Sequence, residues 1–317
     1  TNKKLSSEFP DWSADKISNK TGIYSRNIAR NDEFVSDLAI NASLNLFKDY
    51  SINKEIIDFV ILCTQSPDYF LPTTACIVQD KLGLSKNIGA LDFNLGCSGF
   101  VYGLALANGL IKSNAANNVL LITSETYSKY LNKKDKHNRT IFGDAAAACL
   151  VTSKISLAKV KKFVFGTDGS GAENLIVKNG ASRNPLKNGI DDVNDKGYFK
   201  NDNNLYMNGQ EIFKFTSNSL PKLIDDCLKK NSLKLNDVDL FVFHQANKYM
   251  LNYIRRKIKI PDEKFFIFLE NIGNTVSSTI PIALSAAIKS NRIQKGMKVL
   301  IAGFGVGYSS GATILKF

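Results

Sequence analysis

The sequence predicts an α/β layer fold built from two related halves, and three observations predict it. Short apolar runs of strand length alternate with longer helical patterns along the 317 residues. The tetrapeptide IKSN occurs at 111–114 and again at 288–291, 177 residues further on. Matching strand–helix–strand patterns surround both copies, which makes duplication a better account than chance.

In the first half, IIDFVILC (56–63), GALDFNL (89–95), NVLLITS (118–124) and AAAACLV (145–151) read as buried strands, and 100–113 as a helix. The stretch 178–204, rich in Asn, Gly and Asp, reads as a long excursion without core. In the second half, helices are expected over 208–230, 246–258 and 277–290, the first interrupted by Pro221, where a kink is expected. VDLFVF (238–243), KFFIFL (264–269), KVLIAGF (298–304) and GATILKF (311–317) read as strands. The repeat extends beyond its core: IDFVILC mirrors VDLFVFH, and FGDAAAACLV mirrors YSSGATILKF. The division is placed between residues 1–155 and 156–317.

A hydrophobic content of 44% supports a substantial core. No stretch approaches the roughly 18 apolar residues of a membrane span, and TNKKLSSEFPDW contains no apolar signal segment. Five scattered cysteines do not form a disulfide framework and point to a reducing cytoplasm. Two histidines and the absence of C-x-x-C argue against a structural metal site. The net charge of +12 calls for an anionic partner, with dense patches at Lys133, Lys134, Lys136 and Arg139 and at Arg255, Arg256, Lys257 and Lys259. No nucleic-acid motif or basic–aromatic interleaving accompanies the charge, so nucleic acid is not the expected partner.

Chemistry concentrates at strand-to-helix transitions, where ligands collect in α/β folds. DFNLGCSGF (92–100) places Cys97 between a strand and a helix. Unpaired N–H groups and the macrodipole there favour a thiolate. The dipole contributes at most ~2 kcal/mol, and one pKa unit is ~1.4 kcal/mol, which lowers the thiol by about one unit. Adding the repeat offset of 177 to Cys97 reaches Asn274, in NIGNTVSS, expected to open the equivalent helix. His244, in FHQAN, ends the strand that begins the second half. A packing with pseudo-two-fold symmetry brings these residues to one site. A histidine paired with an asparagine suits donation to a developing enolate better than strong base catalysis. Cys63, Cys76, Cys149 and Cys227 read as packing residues, and His137 as a solvated loop residue.

GCSGF, FHQAN and IGNTVSSTIPIAL, in this order and spacing, resemble the Cys-His-Asn signature of the thiolase-fold condensing enzymes, and above all the β-ketoacyl-acyl-carrier-protein synthase III family. KTGIYSRNIA, LPTTACIVQDKLGL, FGDAAAACLV and FGVGYSSGA resemble further blocks of that family, so the likeness covers nearly the whole chain. The resemblance implies a five-layered αβαβα sandwich of two duplicated halves and a homodimer. It implies ping-pong chemistry without a cofactor. Cys97 takes an acyl group, with the N–H groups of Cys97 and Val306 as oxyanion hole. His244 and Asn274 then hold malonyl carried on acyl carrier protein while it loses carbon dioxide. By the same resemblance Ile141, Phe142 and Phe304 line the acyl pocket, Leu71 of a second subunit closes it, and Arg255, Arg256 and Lys257 receive the acidic carrier protein.

Three departures stand out. Lys16 and Lys136 occupy positions where coenzyme A-using members hold adenine between tryptophan and arginine, and Lys20 replaces a second arginine. These lysines can reach a phosphate but cannot stack as arginine does. The acyl donor is therefore left open between acyl-coenzyme A and acyl-carrier protein. Leu71 stands where phenylalanine is common, which implies a primer longer than acetyl. Val306 replaces a glycine and is expected to restrict the backbone that presents its N–H. The rival readings are an acyltransferase that skips decarboxylation and a non-catalytic carrier-protein-binding module.

Overall fold

β-Branched and aliphatic runs form two central sheets in the structure, a computed structural model that describes residues 1–186, 191–193 and 199–317. Asn2–Glu8 (α1) and Ala14–Thr21 (α2) form an N-terminal helical pair, followed by Val35–Asp49 (α3). Phe59–Cys63 (β1), Thr74–Lys81 (α4), Gly89–Phe93 (β2), Gly99–Lys112 (α5), Asn118–Glu125 (β3), the short Lys136–Arg139 (α6) and Ala145–Thr152 (β4) follow. The first sheet has the order β2-β1-β3-β4, with β1 parallel to both neighbours and β4 antiparallel to β3.

Lys159–Val160 (β5), Val164–Thr167 (β6), Leu175–Ile176 (β7), Asp192–Val193 (β8), Phe199–Lys200 (β9) and Tyr206–Met207 (β10) lead into Gly209–Lys230 (α7). Leu240–Phe243 (β11), Lys248–Ile258 (α8), Thr279–Lys289 (α9), Lys298–Gly305 (β12) and Ser309–Lys316 (β13) complete the chain. The second sheet runs β11-β12-β13-β5, with β6 also on β13. Its core repeats the first: β11 is parallel to β12, and β13 is antiparallel to β12.

Alternation along the strands sorts the layers. In β1, Ile61 faces the central helices while Val60 and Leu62 face α3 and α4. In β11, Leu240 and Val242 face inward while Phe241 and Phe243 face the cluster beneath α7. Helices α5 and α9 contact both sheets and form the middle layer; α3 and α4 cover one outer face and α7 the other. The result is the αβαβα sandwich. Their apolar side chains, Phe100, Leu104, Ile280 and Leu284 among them, share one core with both sheets.

Several expectations are corrected. Residues 264–269 make only a single bridge, Phe241 to Phe265, because the side chain of Gln245 accepts the Phe268 N–H at 2.7 Å and diverts the backbone from the ladder. A 3-10 turn, Val276–Ser278, precedes α9, so the helix starts at Thr279 rather than 277. Pro221 lies within the continuous helix α7. The excursion over 178–204 includes the small pair β8–β9, while its residues 187–190 and 194–198 lie outside the described ones. Helices α1 and α2, of 7 and 8 residues, are too short for apolar periodicity to reveal.

Candidate active site

Cys97 sits on the turn between β2 and α5, just ahead of the helix N-cap Ser98, and is buried. Strand β12 of the other half lies directly against it. A Cβ at Gly305 would stand 2.8 Å from Cys97 Sγ, and one at Gly303 2.5 Å from Cys97 O, so no side chain fits at either position. The Ser98 and Ser309 hydroxyls, 2.7 Å apart, tie the same turn to β13. The backbone N–H groups of Cys97 and Val306 favour the thiolate. Burial outweighs them and, with the charge of Glu125, pushes the Cys97 thiol up to about 12, reversing the lowering expected from the helix terminus. Val306 is absent from the positive-φ residues while Gly307 takes a φ of 135°, so the valine meets no left-handed strain and its N–H is presented without glycine.

His244 continues β11: its N–H donates to Ala302 O at 2.8 Å. The ring is buried edge-on to Phe304, with centroids 5.6 Å apart. Burial pushes the imidazole down to about 3, so it is neutral at physiological pH. Its Nδ1 lies 2.7 Å from Thr279 Oγ1, which also lies 3.0 Å from Val276 O. With the threonine hydroxyl donating to Val276 O, Nδ1 carries the ring proton and Nε2 is a proton acceptor. With the hydroxyl turned to Nδ1, Nε2 carries the proton and is a donor. The Val276 carbonyl also bonds the ring and favours its protonated form.

Asn274 is stitched into the first half. Its N–H donates to Ile141 O at 2.9 Å, and its carbonyl accepts from Gly143 N at 3.0 Å. Its Oδ1 accepts from Val276 N at 2.9 Å, which leaves the amide NH2 as its donor. Asn274 therefore braces a turn that precedes the helix rather than opening the helix itself. Phe142, bridged to Asn274, is buried against Tyr127, with ring centroids 5.1 Å apart. Cys97, Phe142, Phe304 and Val276 belong to one packed cluster, with Ile141 and Val306 at its edge. Asp144, next to Gly143, accepts from Ala29 N and from the Ser128 N–H and hydroxyl, a structural role.

Other expected residues lie elsewhere. Leu71 is 86% exposed on an apolar tip with Tyr69 and Phe70, outside that cluster. On α8, Arg256 and Lys257 are exposed, whereas Arg255 is partly buried and pairs with Asp262 at 3.2 Å. Lys16, Lys20 and Lys136 gather around the buried Trp12, with ammonium groups 5.6, 4.7 and 5.8 Å from the ring centroid. Lys136 pairs with the Asp11 carboxylate, and Lys16 donates to the Asp11 carbonyl. His137 is not solvated: it packs edge-on to Trp12, and burial pushes it down to about 4. Cys76 is exposed, not packed. Sequence reasoning passed over Thr279, Trp12 and Glu125. Thr279 lies within the IGNTVSSTIPIAL block, but no local pattern marks it as the partner of His244.

A thiol, a neutral imidazole and a carboxamide gathered where two similar sheets meet define a condensing enzyme of the thiolase fold. Comparison with known proteins narrows the class. The family model described as 3-oxoacyl-[acyl-carrier-protein (ACP)] synthase III matches residues 91–169, and the model of its C-terminal part matches 228–317. The beta-ketoacyl-[acyl-carrier-protein] synthase III of Clostridium perfringens is 40% identical over 98% of this chain and 92% of its own length. That of Fusobacterium nucleatum is 38% identical over 97% of this chain and 91% of its own. A crystal structure of 3-oxoacyl-(acyl-carrier-protein) synthase III superposes with a TM-score of 0.97 at 46% identity, covering 100% of this chain and 95% of that one. The chain belongs to the 3-oxoacyl-[acyl-carrier-protein] synthase III family and is a condensing enzyme.

Proposed function

We propose that this chain makes a β-ketoacyl thioester by decarboxylative Claisen condensation through an acyl-Cys97 intermediate. The observations that support the reading are the packing of Cys97 against Gly305, the His244 ring against Phe304 of the same strand, and Asn274 bridged to Phe142 of the cluster that holds Cys97 and Phe304. In the first half-reaction the sulfur attacks the thioester carbonyl carbon as its proton passes by way of Nε2 of His244, so neither a free thiolate nor an imidazolium has to accumulate. The N–H groups of Cys97 and Val306 hold the oxyanion, and the departing carrier thiolate recovers the proton. In the second, the Thr279 hydroxyl turns to donate to Nδ1, which gives its proton to water while Nε2 takes one from water. His244 Nε2–H and the Asn274 amide then donate to the malonyl thioester carbonyl as carbon dioxide leaves. The carbanion attacks the acyl-cysteine carbon, and the released thiolate takes a proton from water. Residues 1–155 supply the nucleophile in this scheme, and 156–317 the two donors.

Malonyl-acyl-carrier protein is the extender, docking on Arg256 and Lys257, whose charge complements an acidic carrier. An acyl-carrier-protein donor suits the first step better than acyl-coenzyme A. Trp12 is buried under three lysines, and Lys16 and Lys136 are engaged with Asp11, so the Trp12 ring offers no free face to an adenine; Lys20 remains the phosphate contact. The exposed Tyr69–Phe70–Leu71 tip fits a homodimer in which Leu71 closes the partner's acyl pocket. Sedimentation of Leu71→Asp as a dimer would dismiss that role. The unpaired cysteines suit a cytoplasmic site of action.

The test follows acyl label from acyl-carrier protein onto Cys97 and release of carbon dioxide from malonyl-carrier protein. Cys97→Ser abolishes labelling; His244→Ala and Asn274→Ala abolish carbon dioxide release. Labelling that survives Cys97→Ser removes the nucleophile from the scheme. Carbon dioxide release that survives both other changes favours transfer without decarboxylation.

A further inference from the structure

Glu125, at the end of β3, is a fully buried carboxyl to which the reaction above assigns no role. Its donors come from both halves. Gln65 N lies 3.1 Å from Oε2, Ser66 Oγ 3.0 Å from Oε2, and Ser277 Oγ 2.7 Å from Oε1. While Ser66 accepts from Thr126 N, each of the other two paths leads to a residue beside the nucleophile. Through Gln65 it reaches Gly96: Gln65 Oε1 lies 2.6 Å from where a Cβ of Gly96 would be, and Gln65 Nε2 donates to Asn94 Oδ1 at 3.2 Å. Through Ser277 it reaches Gly99, whose Cβ site is 3.5 Å from Ser277 Cβ and 2.3 Å from Cys63 Sγ. Cys97 is thus held between two glycines packed against groups that Glu125 organises. Ser277 in turn lies three residues beyond Asn274 on the turn that precedes α9.

The charge environment is one-sided. The titratable groups coupled to Glu125 are Cys63 of β1, Cys97, Tyr127 and Tyr130 after β3, and Asp144 before β4, all of them acids. No cation is among its bonding partners in the described residues. We infer that Glu125 is a positioning residue of the condensing site, a clamp between the Cys97 turn and the Asn274–Ser278 segment whose charge state acts on the Cys97 thiol. In its neutral form the carboxyl donates a hydrogen bond to Ser277 Oγ; in its ionised form Ser277 donates to it, and a negative charge stands near the sulfur. Burial holds Glu125 up at about 8, inside the pH range where thiols are assayed.

The inference rests on Cys97 being the acylated residue, and the experiment separates the two. Alkylation of Cys97 by iodoacetamide is followed by mass spectrometry of its peptide from pH 6.5 to 9.5 in wild type and Glu125→Gln. The same peptide is checked for acyl label from acyl-carrier protein. The two proteins alkylate at similar rates at pH 6.5. At pH 9 Glu125→Gln is about tenfold faster, since the wild-type carboxylate, once ionised, opposes thiolate formation. A rate ratio that does not change with pH overturns the inference, because a purely structural role moves all rates together. Should Glu125→Gln not fold, Ser277→Ala carries the test: loss of a donor to the carboxylate moves the bend in the alkylation profile to higher pH. An unmoved bend overturns the clamp. A Cys97 peptide that takes no acyl label overturns the proposed function, whatever the alkylation profiles show.

Discussion

A methyl group added at Gly303 probes the contact on which the site depends. The new Cβ would lie 2.5 Å from Cys97 O and 2.7 Å from Ser98 Cα, where ordinary van der Waals contact begins at 3.4 Å, so about 0.9 Å must be found. Neither side gives easily. Gly303 is paired with Gly311 in the β12–β13 ladder, and Ser98 is held by Ser309. The displacement therefore passes to Cys97 and to the N–H groups around its sulfur. Overpacking of this kind costs ~1–3 kcal/mol of stability. A misplacement of about 1 Å at a reacting centre costs on the order of 10²-fold in rate. Gly303→Ala is expected to slow acyl-enzyme formation, measured by quenched-flow mass spectrometry, about 10²-fold, and to lower the urea midpoint. Gly109→Ala, with no atom within 4 Å of its Cβ site, serves as control and acylates normally. Wild-type acylation and stability in Gly303→Ala would refute the packing of the second sheet on the nucleophile turn.

Thr279→Val keeps the shape and removes the hydroxyl that sets the His244 ring proton; both half-reactions fall by roughly 10²-fold, and Thr279→Ser restores them. Equal rates in valine and serine variants would show that Thr279 only packs. Stability should depend on pH through Glu125, whose folded value is raised from 4.5 to about 8. The native chain keeps a proton that the unfolded chain has lost, so this stabilisation is full below 4.5 and fades as pH rises through 8. Between pH 6.5 and 8 urea denaturation is expected to show a decline of up to ~1.4 kcal/mol per pH unit that Glu125→Gln abolishes. A decline of the same slope in the variant would assign it to other groups. Arg256→Glu combined with Lys257→Glu raises KM for malonyl-acyl-carrier protein about tenfold with kcat unchanged, an effect that shrinks at high salt. An unchanged KM would place carrier docking elsewhere.

The three positions proposed to react were legible because duplication gives them addresses. The IKSN repeat relates Cys97 to Asn274 by arithmetic, and FHQAN places His244 at a strand end. Strands whose two faces are both covered, such as β3, read as unbroken apolar runs and are found by eye. Residues 264–269 misled for a definite reason. They have the composition of a strand, but Gln245 takes the backbone bond that a neighbouring strand would need. The ionisation of Cys97 was misjudged because a helix terminus is visible in sequence while the depth of burial is not. Arg255 carries the same charge as Arg256, and what distinguishes them is burial and contacts to Asp262 and the Ile260 carbonyl.

By itself the sequence determined the layered fold, the doubling of the chain and the residue types capable of the chemistry. These follow from periodicity and spacing, which are properties of the chain read along its length. Only the tertiary structure decided that burial keeps Cys97 protonated and His244 neutral, that Thr279 faces Nδ1, and that Glu125 joins the two halves behind Cys97. Proton affinity depends on which groups from distant parts of the chain enclose a side chain, and on how completely they exclude water. Neither is written in any local stretch of residues.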